Sequence, residues 1–111
     1  MRNTPRFEVQ KMRQSAGRAT EMLRTLANKD RLLLLCQLAQ GEKCVNEIEA
    51  TLDIQQPTLS QQLGVLRAKG LVATRREGKY IYYRVADTTA LAVLNTLYEL
   101  YCKKGRGKGQ C

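Results

Sequence analysis

Gln55-Gln56-Pro57-Thr58-Leu59-Ser60-Gln61-Gln62-Leu63-Gly64-Val65-Leu66-Arg67-Ala68-Lys69-Gly70-Leu71-Val72 holds, in order, a turn, a helix, a stop and the opening of a strand. Pro57 suits the first position of a helix, with φ already set and no amide to satisfy. Leu59, Leu63 and Leu66 then recur on one face, and Gly70 closes the helix. The opposite face carries Thr58, Gln61 and Gln62, with Ser60 alongside. From Leu71 the apolar period changes from 3.6 to 2. Leu71 to Arg76 and Tyr80 to Val85 are rich in β-branched and aromatic residues, and Glu77-Gly78-Lys79 joins them as a hairpin turn.

Working back toward the N-terminus, Val45, Ile48 and Leu52 give a short helix, tied to the next by the tight connection Asp53-Ile54-Gln55-Gln56. Before it, Leu32 to Ala39 is apolar nearly all round, so this helix is expected to be central and buried, with Gly41 as its stop. From Phe7 to Ala27, Met12, Ala16, Ala19, Leu23 and Leu26 form a narrow seam suited to helix-on-helix packing; Asn28 ends that helix. After the hairpin, Thr88 to Cys102 reads as a last helix with Leu91, Leu94, Leu97, Tyr98 and Tyr101 on its apolar side. The expected domain is one unit, residues 7–102, with flexible basic ends at 1–6 and 103–111.

The 111 residues carry a formal charge of +9 and no histidine. Without histidine there is no Ser-His-Asp or Cys-His catalysis and no imidazole metal site. No Gly-rich phosphate loop appears either, so the chain is not expected to be an enzyme and no cofactor is expected. No apolar run approaches the roughly 20 residues of a membrane-spanning helix, and the first residues lack a signal-peptide core, so a cytoplasmic protein without a membrane partner is expected. The charge is uneven. Residues 37–54 hold one lysine against four acids, whereas 55–84 hold Arg67, Lys69, Arg75, Arg76, Lys79 and Arg84 against Glu77 alone.

Two short helices, a tight turn and a basic hairpin point to a mainly α winged helix-turn-helix fold with a β-hairpin wing, in the order α-α-α-α-β-β-α. Such a fold places its second short helix in the major groove of double-stranded DNA, where small polar side chains bond base edges. Gln56, Thr58, Ser60, Gln61 and Gln62 are of that kind. Arg75, Arg76 and Lys79 on the hairpin are expected to hold the neighbouring backbone or minor groove, supplying affinity more than sequence choice, and Arg67 is counted among the DNA-binding residues. Apolar seams on the first and last helices, in a chain with a small core, favour a homodimer, and two reading heads then favour an inverted-repeat operator.

The stretch from Leu26 to Val85, with QQPTLSQQLGVLRAKGLV at its centre, resembles the ArsR/SmtB family of small dimeric repressors, and the likeness runs from about Ala19 to Cys102. It implies dimerisation through the first and last helices. The proline that usually follows the first helix is replaced by Lys29-Asp30. Within the family, Cys36 and Cys102 match the cysteine pair of the BigR/SqrR/HlyU-like sensors of sulfide, persulfide and oxidation. In that group the two thiols become joined, directly or through added sulfur, and the repressor leaves its operator, which makes reactive sulfur species or oxidants the implied inducers. By itself, Cys36 in a leucine-rich helix reads as core packing. Cys44 falls on the first cysteine of the ELCVCDL metal motif of metal-sensing relatives. Asn46 occupies the second, so no metal site is expected, and a metal- or metalloid-responsive repressor using Cys44 is the alternative. Cys111 reads as an exposed thiol in a loose tail.

Overall fold

The computed structural model describes residues 6–103. The basic ends expected at 1–6 and 103–111 therefore fall almost wholly outside the described residues, as does Cys111. The elements are α1 (Val9–Leu26), α2 (Lys29–Ala39), β1 (Lys43–Cys44), α3 (Val45–Leu52), α4 (Thr58–Ala68), β2 (Val72–Glu77), β3 (Tyr80–Val85), α5 (Thr88–Tyr98) and a wide, π-type last turn at Glu99–Lys103. This is a winged helix with two departures from the expected order. A short strand precedes α3, so the hairpin is part of a three-stranded sheet ordered β1-β3-β2. The last helix also widens before Cys102 instead of running through it.

Local chemistry explains the boundaries. Asn28 closes the α1–α2 corner by capping α2, its side chain accepting the Arg31 amide at 3.0 Å. Asp87 caps α5 in the same way, accepting from Ala90 at 3.0 Å. Pro57 stands one place outside α4 instead of at its first position. The reason lies in Gln56, whose Oε1 accepts the Ser60 amide at 3.1 Å and does the capping from the turn. In the hairpin, Glu77 pairs with Tyr80, so the turn is the two residues Gly78-Lys79. Gly78 supplies the φ of +64° that such a turn requires at its first position.

The core gathers Leu34, Leu35 and Leu38 of α2, Ile48 of α3, Leu59, Leu63 and Leu66 of α4, Leu71 and Val72 at the wing base, and Ala90 and Leu94 of α5. Thus α2 is central, as its composition implies, although Leu33 remains exposed. Helix α1 behaves differently. It buries only Thr25 and Leu26, and the Thr25 hydroxyl is satisfied by donating to the Glu21 carbonyl at 3.0 Å. Phe7 is 77% exposed, Leu23 58% and Tyr101 66%, and Val9, Met12, Tyr98 and Leu100 are also exposed. The terminal helices therefore carry a large apolar area that their own chain leaves uncovered. Among the described residues no helix is long and apolar enough to cross a membrane.

Candidate DNA-binding surface and thiol pair

Helix α4 is held from beneath by its three leucines, and this fixes which side chains point outward. Ser60, Gln61 and Arg67 are exposed, and Thr58 is half-buried beside them. Two glutamines of the expected reading set are engaged inside the protein. The Gln56 carbonyl oxygen caps α4. The Gln62 Oε1 accepts from Arg31 Nη1 of α2 at 2.8 Å, on the half-buried flank of the helix. Each keeps its amide NH2 as a donor, while one lone pair of its carbonyl oxygen is already used inside the protein.

The hairpin divides its cations between two faces. Arg76 and Lys79 are exposed. Arg76 donates to the Gly78 carbonyl at 3.3 Å, and the Lys79 ammonium lies 5.9 Å from the Tyr80 ring centre. Arg75, on the other face, is also exposed but is paired with two carboxylates. Its Nε and Nη2 each donate to Glu42 at 2.8 Å, and its Nη1 donates to Glu77 at 2.6 Å. The Arg75 guanidinium holds the Glu42 carboxyl below its ordinary range.

Two polar ties join α1 to α4. Glu21 pairs with Lys69 at the end of α4, with Arg24 beside it, and the Lys69 bond in particular pushes the Glu21 carboxyl below its ordinary range. Arg31 is the other tie. Besides Gln62 it donates to the Thr25 carbonyl at 2.6 Å and the Arg24 carbonyl at 3.4 Å. Sequence reasoning passed over Arg31, although a cation standing directly before the leucine run was a visible signal.

Cys36 and Cys102 are both half-buried and both free. Burial pushes the Cys36 thiol above its ordinary range, and Cys102 adds to that shift. Beside Cys36 lies an open groove of about 520 Å³ lined by Ala39, Gln40, Leu91, Leu94, Asn95 and Tyr98. Cys44 is elsewhere, 8% exposed at the start of α3. Its sulfur takes the place of the usual hydroxyl in a capping box, with Glu47 accepting the Cys44 amide at 2.9 Å. That gives Cys44 a structural task. Among the described residues, no three Cys, Asp or Glu side chains cluster as a metal site would require.

Comparison with known proteins meets this geometry at the same residues. The family described as bacterial regulatory protein, arsR family, matches residues 28–74, from the α2 cap into the wing. A biofilm growth-associated repressor of Agrobacterium fabrum is 58% identical over 88 residues, covering 77% of this chain and 75% of that protein. The chain belongs to the arsR family. Among solved structures, the transcriptional repressor BigR from Xylella fastidiosa superposes with a TM-score of 0.83 at 44% identity, covering 86% of this chain and 98% of that one. Reduced HlyU from Vibrio cholerae gives 0.78 at 38% identity, covering 84% and 98%. These arsR-family relatives are transcriptional regulators and not enzymes.

Proposed function

We propose that this chain is a cytoplasmic transcriptional repressor that binds double-stranded operator DNA as a homodimer and releases it when Cys36 and Cys102 are oxidised or persulfidated. The exposed polar face of α4 beside the basic hairpin carries the DNA half of the reading: Thr58, Ser60 and Gln61 meet base edges, with the free amide NH2 groups of Gln56 and Gln62 at the margins. Arg67, Arg76 and Lys79 meet phosphates. The apolar area on α1 and the end of α5 is covered by a second copy, and an inverted-repeat operator with half-sites roughly 34–36 Å apart follows from two such heads.

What supports the sensing half is a pair of free, half-buried thiols, Cys36 and Cys102, with Cys102 adding to the upward shift that burial gives Cys36. Burial keeps Cys36 protonated, so the first attack is assigned to Cys102. With a hydropersulfide, Cys102 takes the outer sulfur and a thiol leaves. Attack by Cys36 on the inner sulfur then closes a disulfide and expels hydrogen sulfide. With hydrogen peroxide, the two thiols give up two protons and two electrons, and the disulfide and two waters result. Either link ties α2, which supports the reading head, to the end of α5, and so alters the spacing of the heads.

The test uses full-length wild type, Cys36→Ser, Cys102→Ser and Cys44→Ser on a duplex selected from random DNA by the wild type. After treatment with a persulfide donor or peroxide, wild type and Cys44→Ser release the duplex, while the other two stay bound. Mass analysis distinguishes a direct disulfide from a bridge with added sulfur. A response lost only in Cys44→Ser would overturn the assignment.

A further inference from the structure

By sequence, Arg75 is a DNA contact; in the structure three of its five N–H donors are engaged within the protein, although the side chain stays 45% exposed. Nε and Nη2 form a two-pronged pair with Glu42, Nη1 holds Glu77, and Cζ sits 4.8 Å over the Tyr82 ring centre. These partners come from every strand of the sheet. Arg75 and Glu77 lie on β2, Tyr82 lies on β3 directly opposite Arg75, and Glu42 immediately precedes β1. In the order β1-β3-β2, the Arg75 side chain therefore crosses the middle strand, stacks on its tyrosine and grips the far edge. Arg76, pointing to the opposite face, makes one long bond to a carbonyl, and Lys79 has its ring contact alone among the interactions described above.

We infer that Arg75 is a positioning residue that locks the wing onto the segment leading into β1, and that phosphate binding by the hairpin belongs to Arg76 and Lys79. A two-stranded hairpin is marginal alone, and β1 adds only two residues of pairing, Lys43 with Tyr83 and Cys44 with Tyr82. A planar, forked cation meeting a carboxylate through two parallel bonds fixes orientation as well as distance, which an ammonium cannot do. Presetting the wing in this way lowers the ordering cost that DNA binding would otherwise carry.

The inference rests on the DNA-binding reading, and one of its measurements needs no DNA, so the two can fail separately. Full-length wild type, Arg75→Lys, Arg75→Gln, Glu42→Gln and Arg76→Gln are compared, with Glu49→Gln as a control for removing a negative charge. In amide hydrogen exchange on the free protein, Arg75→Lys and Glu42→Gln each speed exchange across residues 72–85 by about fivefold or more, while Arg76→Gln and Glu49→Gln do not. On the selected duplex, Arg75→Lys, which keeps its charge, binds about three- to tenfold more weakly with the salt dependence unchanged, whereas Arg76→Gln lowers the salt slope by about one unit. Hairpin exchange unchanged in both Arg75→Lys and Glu42→Gln overturns the inference. So does wild-type DNA binding by Arg75→Lys together with a unit loss of slope in Arg75→Gln, because a phosphate accepts a lysine where this clamp does not. If wild type fails to bind any duplex while hairpin exchange behaves as stated, the clamp stands and the repressor reading falls.

Discussion

Arg31 Nη1 donates to Gln62 Oε1 at 2.8 Å while Nε of the same guanidinium donates to the Thr25 carbonyl at 2.6 Å. One half-buried cation thus joins the end of α1, the start of α2 and the flank of α4. Hydrogen bonds to a charged donor are the stronger kind, and removing the donor strands its acceptors. Arg31→Met keeps the stem and deletes the bonds. It is expected to lower unfolding stability in urea by about 1–3 kcal/mol and to loosen the placement of α4. Arg31→Lys should recover only part of the loss, since an ammonium cannot span the three acceptors.

The two faces of α4 should separate stability from recognition. Leu63→Ala, in the closed core, should cost about 2–5 kcal/mol of folding free energy. Gln61→Ala should change stability by no more than about 0.5 kcal/mol, yet lose about 1–3 kcal/mol on the selected duplex and relax base choice at one position. Denaturation and duplex titration of both variants check the contrast.

A charge placed on the uncovered face of α1 should break the proposed dimer without touching the core. Leu23→Glu is expected to sediment as a monomer at micromolar concentration, where wild type sediments as a dimer. With only one reading head on each molecule, it should also lose most of its affinity for a two-half-site duplex. A wild type that sediments as a monomer would remove the basis of this expectation.

The thiols offer a titration. Burial raises the Cys36 pKa, so its reactive thiolate is scarce at neutral pH and grows tenfold per pH unit until that raised value is passed. Iodoacetamide labelling of Cys36, followed by peptide mass analysis, should keep accelerating beyond about pH 8.5, where an ordinary thiol begins to level off. Cys102→Ser removes one of the two raising influences and should move the Cys36 curve to lower pH. A curve that stays in place would mean that the thiols are not neighbours.

Elements with a repeating pattern were legible in the sequence. The leucines of α4, the two strands of the hairpin and the stops at Gly41 and Gly70 all reappear in the structure. What could not be read were features that exist only through distant partners. Strand β1 is two residues long, too short to show any period, and forms because β3 offers it an edge. The widened turn at Glu99–Lys103 has no composition of its own. Gln56, Gln62 and Arg75 were recognisable as polar and well placed, but a sequence does not show that Ser60, Arg31 and Glu42 already occupy them. Cys44 was read as a possible ligand position because of its place in a motif, whereas its capping role depends on Glu47 three residues later.

The ties from Glu21 and Arg31 have a bearing on descent. Helix α1, 18 residues and therefore about 27 Å long, is tied to the reading helix at its end and along its flank, and in the proposed dimer it shares with the end of α5 the surface that meets the second copy. In such a dimer the gauge between two half-sites would be recorded in rigid helices, α1 first among them, and not in any loop. A lineage whose operators drift apart by a base pair cannot follow by lengthening a connection. Adding one residue to α1 turns everything beyond it by about 100°. Operator spacing and the length of this helix are thereby bound to change together or not at all, while the face of α4 remains free to acquire new base preferences.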